Sequence, residues 1–248
     1  MSRLGPFFFK HRNLLFPVVF LPLALGTEPR PFLGSARADA LLDAAGLALA
    51  IAGQALRVLV IGLAYIRRGG KDKQIYAATL VQDGIFAHSR NPLYLGNLMI
   101  VAGLMLIHDG PWLYAIGIPF FLVAYVSIVQ AEEQYLSAHF GAEYEEYRRR
   151  VPRFFLRLEG LGRTLRSMHF EWNRVVRKEY GTLMSTASGV ILLVARQSIA
   201  GQPSFGIRWS WPVLLAVWVT VAVAWLAARL LKKSGALKDS GAVEGRPL

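Results

Sequence analysis

Six stretches of this chain are apolar, and several have the length of about 20 helical residues needed to cross a ~30 Å hydrocarbon layer, the first being shorter. They occupy 14–26, 41–66, 93–107, 112–129, 182–200 and 211–231. The longest, Leu41 to Ile66, is interrupted only by Asp43, Gln54 and Arg57. The first contains Pro17 and Pro22, which make it a kinked, re-entrant or tilted segment as readily as a straight span. Between the third and fourth lies His108-Asp109-Gly110-Pro111, whose composition predicts a tight turn between antiparallel helices. The expected fold class is all-α: a polytopic membrane protein of five to six transmembrane helices with both termini cytoplasmic.

Charge placement supports that reading. Only 18% of the 248 residues are charged, against 54% hydrophobic, with a mean hydropathy of +0.38, yet the net charge is +12. Abundant apolar sequence excludes a disordered chain, and zero cysteines exclude a disulfide scaffold, thiolate metal sites and a cysteine nucleophile. If the spans alternate, 22 of the 28 Lys and Arg fall on the side of the N-terminus. Three fall opposite and three lie within spans. Positive residues are retained on the cytoplasmic side, so this bias sets the orientation. It also accounts for the basic residues without nucleic acid, and no nucleic-acid partner is expected. A basic start, a short apolar run, Ala24 and Gly26 imitate a secretory signal, although the prolines equally suit a retained segment.

Four regions follow: N-terminal spans over 1–74, a core over 75–157, an interfacial segment over 158–181, and a helical pair with a basic tail over 182–248. In the third, Leu161, Leu165, Met168, Trp172 and Val175 form one stripe, with Arg163, Arg166, Arg174, Arg177 and Lys178 elsewhere. A basic amphipathic helix with Trp on its apolar side suits the headgroup layer; the alternative is packing on the protein's own cytoplasmic side.

Two stretches carry candidate chemistry. Gly84-Ile85-Phe86-Ala87-His88-Ser89-Arg90-Asn91-Pro92-Leu93-Tyr94-Leu95-Gly96 lies where a cytoplasmic loop enters a span. Pro92 suits a first helical turn. Arg90 and Asn91 then sit beside a helix N-terminus, where free N–H groups favour an anion, and Arg90 can grip a carboxylate through two bonds. Tyr94 adds an aromatic face and a hydroxyl, and Gly96 permits close approach to the backbone. The plainer reading is an anchoring arginine, a helix start and an interfacial tyrosine.

The second stretch runs from Ala131 to Tyr147 and holds Glu132, Glu133, Glu143, Glu145 and Glu146, five of the 16 acidic residues. A carboxylate at the end of a span is costly unless paired. The tight turn brings that span's end back beside the start of the preceding one, making Arg90 and the Glu pair predicted neighbours. That arrangement is either site-like or a structural ion pair. Arg57 is expected to face the bundle interior. The five histidines show no ligand spacing, so no metal is expected. There is no G-x-S-x-G elbow and no G-x-G-x-x-G nucleotide loop.

Thr79-Leu80-Val81, Gly84-Ile85-Phe86 and Arg90-Asn91-Pro92-Leu93-Tyr94-Leu95-Gly96 resemble the first half of the signature of the integral-membrane methyltransferases. These comprise the isoprenylcysteine carboxyl methyltransferases and the phospholipid N-methyltransferases. Glu132-Glu133, Phe140-Gly141, Glu143-Tyr144, Tyr147 and Arg150-Val151-Pro152 resemble its second half. The resemblance covers about 75–155. It implies S-adenosylmethionine as cofactor, with Gly84, Asn91, Pro92, Tyr94 and Gly96 in its site. It also implies catalytic roles for Arg90 and for Glu132 or Glu133, and methyl transfer to a lipophilic acceptor, a prenylcysteine-like carboxylate or a phospholipid amine. The active site would lie on the cytoplasmic side of the cytoplasmic membrane. Two positions depart from the pattern: Asn91 stands at the motif histidine, and Ala78 at a position often histidine in the carboxyl methyltransferases. Two other classes compete: a steroid-reductase-like enzyme using NADPH, which shares an R-H-P-x-Y signature, and a non-enzymatic membrane scaffold or carrier.

Overall fold

The structure, a computed structural model, describes residues 4–29, 34–63, 68–71, 74–77 and 79–237. Ala78 and the basic residues Arg3, Arg30, Arg67, Lys73, Lys238 and Arg246 lie outside the described residues. Among the described residues eight helices follow one another: α1 (Leu4–Gly26), α2 (Ala36–Leu63), α3 (Pro92–His108), α4 (Ile118–Phe140), α5 (Ala142–Arg150), α6 (Leu161–Ser167), α7 (Trp172–Ile199) and α8 (Trp211–Lys233). Strands β1 (Arg68–Lys71) and β2 (Gln74–Ala77) form an antiparallel hairpin, with Arg68 opposite Ala77. A π-helical turn, Leu113–Gly117, leads into α4. Among the described residues five helices are long and apolar enough to cross a membrane, and α3 is a shorter apolar helix of 17 residues. The expectation of an all-helical polytopic protein with five to six spans holds, with one small hairpin added.

Pro17 and Pro22 do not break α1, which stays helical over 23 residues. Neighbouring helices support a proline-bearing span by re-satisfying its freed backbone groups. The predicted turn after α3 is present. Asp109 takes left-handed backbone (φ 46°) and accepts a hydrogen bond from the Tyr114 hydroxyl at 2.9 Å. Burial pushes its carboxyl above the ordinary range, while that hydroxyl opposes the shift.

The tightest packing in the bundle joins α2 to α3, and glycine permits it. A Cβ on Gly53 would lie 2.6 Å from the Gly96 carbonyl oxygen, and one on Gly46 would lie 2.6 Å from that of Gly103. The seven-residue spacing on each antiparallel helix puts both contacts on one seam. With no hydrophobic gain on offer between helices in lipid, close backbone approach supplies the van der Waals energy.

Helix directions follow from cross-contacts. Arg12 of α1 reaches Tyr94 at the start of α3, while Ala24 at the other end of α1 reaches His108 at the end of α3. The start of α1 and the end of α8, through Lys232, thus lie at the same end of the bundle as Arg90, hereafter the mouth. There, Ala77 of the hairpin packs with Leu136, Tyr144, Tyr147 and Val151.

The interfacial segment differs from its expectation. Instead of one amphipathic helix over 158–181, α6 ends at Ser167 and a new helix begins at Trp172. The residues from Trp172 onward therefore belong to the 28-residue α7, ten residues before the predicted start of that span. Leu165, Met168 and Phe170 pack against Val60, Leu63, Ile85 and Phe86, so the apolar stripe covers the protein's own mouth end. Gly62 makes this fit, because a Cβ there would collide with the Phe170 ring. Trp172 remains exposed.

Candidate active site at the mouth of the bundle

Gly84 opens a short 3-10 turn, Gly84–Ala87, at φ +63°. The chain after α5 folds back onto the segment that follows this turn. Arg90 N–H donates to the Pro152 carbonyl at 2.9 Å, the Ser89 hydroxyl to that of Phe154 at 3.1 Å, and Arg157 N–H to that of His88 at 2.9 Å. The Tyr147 hydroxyl donates to the Phe86 carbonyl at 2.8 Å. His88 is spent on this latch. Its Nδ1 lies 2.7 Å from the Arg157 carbonyl, which can only accept, and its Nε2 lies 2.9 Å from the Thr164 hydroxyl.

The latch sets Arg90 and Asn91 against the end of α4. Arg90 Nη1 lies 3.4 Å from Glu133 Oε1, and Arg153 Nη2 lies 2.7 Å from Glu133 Oε2. Asn91 Nδ2 donates to Glu133 Oε1 at 3.2 Å and to the Arg153 carbonyl at 3.1 Å. Glu133 is thus a buried carboxylate held by two guanidiniums and an amide, the neighbourhood predicted from the tight turn. Where the motif has histidine, Asn91 works as a neutral clasp.

Glu132, one position earlier, points elsewhere. It accepts a hydrogen bond from the Tyr94 hydroxyl at 2.7 Å, and that hydroxyl accepts from Arg12 Nη1 at 3.2 Å. Glu132, Tyr94, Asn91 and Pro92 line a cavity of about 990 Å³; Arg90 and Glu133 stand behind its wall. The two glutamates are therefore divided in position. Glu133 faces the clasp and Glu132 faces the cavity.

Phe16 and Phe20 of α1 form one side of the cavity, Thr182 and Ser185 of α7 the other, and Tyr94 and Asn97 of α3 the floor. At the far end Arg196 of α7 donates to the Thr27 carbonyl just past α1 at 3.1 Å, tying the two sides together. Arg12, Arg177, Lys178 and Lys232 line it near the mouth.

Gly84 and Gly96 have packing neighbours. A Cβ on Gly84 would meet Met168 Cε at 2.5 Å. One on Gly96 would meet Arg57 Cγ at 2.7 Å and the Gly53 carbonyl oxygen at 2.8 Å. The close approach expected at Gly96 is real, but what approaches is helix α2.

Sequence reasoning misses Glu179. It lies on α7, buried, with Arg57 donating through Nη2 to Oε1 at 2.6 Å and through Nε to Oε2 at 2.9 Å. Gln54 Nε2 adds a third bond to Oε2 at 3.1 Å. The available signal is the pair of polar residues within one span, Gln54 and Arg57, which require a partner at membrane depth. At the opposite end, Asp43 accepts from Gln197 at 3.2 Å and from the Phe205 N–H at 2.8 Å. Among the described residues, no group of three or more His, Asp or Glu side chains is placed to hold a metal ion.

Residues 43–143, which include both halves of this site, match the family described as phospholipid methyltransferase. The resemblance to the membrane methyltransferases is borne out over that stretch. Its edges fall inside α2 and at the start of α5, leaving α1, α7 and α8 outside. Two curated relatives are 35% identical over 80 and 79 residues, 32% of this chain in each case. They are the cobalt-zinc-cadmium resistance protein CzcN of Cupriavidus metallidurans and the nickel-cobalt-cadmium resistance protein NccN of Alcaligenes xylosoxydans xylosoxydans. The matched stretch spans 37% of each relative's length. No solved structure matches the chain.

Proposed function

We propose that this protein is a membrane methyltransferase that uses S-adenosylmethionine and methylates a lipophilic acceptor. The observation that carries the reading is the cavity: Glu132, Tyr94 and Asn91 of the family-matched region open into an amphipathic space between spans. Its volume of about 990 Å³ is at the upper end of small-molecule sites. The residues fit the cofactor's chemistry. The rings of Phe16, Tyr94, Phe121 and Tyr125 suit a cationic sulfonium. Arg12 and Arg177 suit a carboxylate.

When bound, the cofactor supplies an electrophilic methyl on sulfur. The chain's own part is to place the nucleophile in line and to exclude water. For an N–H or O–H nucleophile, Glu132 is the carboxylate available to take the proton, with Tyr94 and Arg12 holding its orientation. Arg90 acts from behind the wall. With Asn91 and Arg153 it fixes Glu133, and so the end of α4 that carries Glu132.

On this reading the mouth faces the cytoplasm, which the excess of Lys and Arg at that end supports. A water-soluble cofactor then enters through the mouth, and a lipophilic acceptor between α1 and α7. Calorimetry on the purified protein in nanodiscs tests the reading. Saturable S-adenosylmethionine binding that Glu132→Gln weakens supports it; no binding by the parent protein sinks it.

A further inference from the structure

The Arg57–Glu179 pair joins the family-matched region to a helix outside it, and it does so at the cavity wall. Every Arg57 N–H is committed. Nε and one Nη2 hydrogen go to Glu179, and Nη1 donates to Asn97 Oδ1 at 2.6 Å. Longer bonds of 3.5 Å run from Nη1 to the Leu93 carbonyl and from Nη2 to the Thr182 hydroxyl. Thr186 donates to Gln54 at 3.3 Å, and Gln54 donates in turn to Glu179. Arg57, Asn97, Thr182 and Thr186 all line the cavity.

This network sits one helical turn beyond Tyr94 and Glu132 along α3, deeper from the mouth. The cavity is also lined by Phe16, Phe20 and Phe121, and by Tyr125, which hydrogen-bonds Asn97. The network's hydrogen-bonding groups are an amide and hydroxyls. Its one cation is cancelled by a carboxylate that accepts two of that cation's own N–H groups. A guanidinium carries its charge in any protein environment, and the Glu179 carboxylate is what cancels it at this wall.

We propose that Glu179 is a positioning residue that, by neutralising and orienting Arg57, makes this wall select an acceptor whose polar head is uncharged. The inference rests on the methyltransferase reading for the word acceptor, but the selectivity it assigns to the wall does not require the cofactor. It gives α7 a part in substrate choice and narrows the acceptor to a lipophilic molecule presenting a hydroxyl, a neutral amine or an amide at this depth. A carboxylate head would meet no uncompensated cation here, and an ammonium head no uncompensated anion.

The absence of cysteine from the chain makes a direct test available. A single Ser185→Cys substitution puts one thiol on the α7 side of the cavity. In nanodiscs, its reaction with an alkyl maleimide is measured in competition with decanol, decanoate and decylamine. In the parent, decanol is expected to protect at least as well as decanoate, whose head finds uncompensated cations only at the mouth. Adding Glu179→Gln leaves Arg57 with an uncancelled charge, and decanoate should then become the best protector, a reversal of about tenfold or more in relative protection. Removing both charges, with Arg57→Gln and Glu179→Gln together, should restore the preference for decanol.

A purely structural pair would lower thermal stability in the single variant without reversing the order of the three competitors. That result would overturn the proposal, as would a decanoate-to-decanol protection ratio that Glu179→Gln leaves unchanged or a thiol that no competitor protects; decanoate held at the mouth by Arg12 and Arg177 contributes equally to parent and variant and cancels in that ratio. Should Glu179→Gln fail to fold, Arg57→Gln/Glu179→Gln against the parent still decides. Equal preference for decanol supports a wall selective through neutrality, and gain of decanoate binding overturns it. A parent that binds no S-adenosylmethionine while the reversal still occurs would sink the methyltransferase reading and leave the wall's selectivity standing.

Discussion

Two buried ion pairs of this molecule, Arg90–Glu133 and Arg57–Glu179, are built in opposite ways. The first is shared: Glu133 divides its oxygens among Arg90 at 3.4 Å, Arg153 at 2.7 Å and the Asn91 amide, and it lies at the mouth. The second is private and bidentate, at 2.6 and 2.9 Å, within the bundle. In the first, removing one partner leaves others in place, with Arg153 half open to solvent. In the second, neither charge has another charged partner in its set of bonds. The difference separates two tasks. The mouth pair aligns a helix end beside a site, whereas the inner pair welds three helices together.

The largest effect should follow from breaking the inner pair. Arg57→Met leaves Glu179 buried without its cation and should cost about 3–5 kcal/mol, read as a loss of melting temperature in nanodiscs. Removing both charges should recover much of that loss, and a double-mutant cycle measures the coupling. On the mouth side, Arg90→Ala should cost less stability, because Arg153 and Asn91 still hold Glu133. A larger loss at Arg90 than at Arg57 would reverse the comparison.

Activity should sort the other way. Glu132→Gln is expected to lower methyl transfer by roughly 10²–10⁴-fold with little change in melting temperature, measured with labelled S-adenosylmethionine and extracted membrane lipids. Glu133→Gln should act less directly, by loosening the end of α4. If the Glu133 variant is the dead one and the Glu132 variant works normally, the assignment of cavity-facing and clasp-facing roles is wrong.

Gly96→Ala sharpens the link between the two regions. Its methyl would enter the space of Arg57 Cγ and the Gly53 carbonyl, at a cost of about 1–3 kcal/mol for overpacking, seen by thermal melting. Were Gly96 instead a cofactor contact, the variant would keep its melting temperature and lose S-adenosylmethionine affinity. The smallest effect belongs to the exposed Arg148–Glu145 pair at 3.5 Å. Arg148→Ala should shift stability by no more than about 0.5 kcal/mol, because exposed pairs are largely screened.

Much of the site is legible in the order and spacing of the residues. The tight turn after His108 imposes the antiparallel return of α4, so Arg90 and the end of α4 have to meet, and Glu133 is the residue that does so. Which glutamate faces the cavity is not legible, since neighbouring residues on a helix diverge by about 100° and sequence leaves the rotation of α4 unset. Gly96 reads correctly as a point of close approach, but not for its partner. Small residues state that a surface comes near without saying which one. The segment after 158 misleads because its periodic stripe fits a membrane surface and a protein surface equally well. Only the packing of Met168 and Phe170 onto α2 and the 3-10 turn distinguishes them.

The sequence by itself determined that the chain is a helical membrane protein, that a tight turn follows His108, and which family its middle resembles. Those properties depend on local composition and spacing, which the length of a bilayer and the chemistry of a motif convert directly into structure. The tertiary structure alone decided that Glu179 answers Arg57. That pair spans 122 residues, and no local rule links two helices that far apart. At membrane depth an unpaired charge is too costly to leave open, so the sequence required some partner for Arg57. Which helix supplied it was settled by how α7 packs.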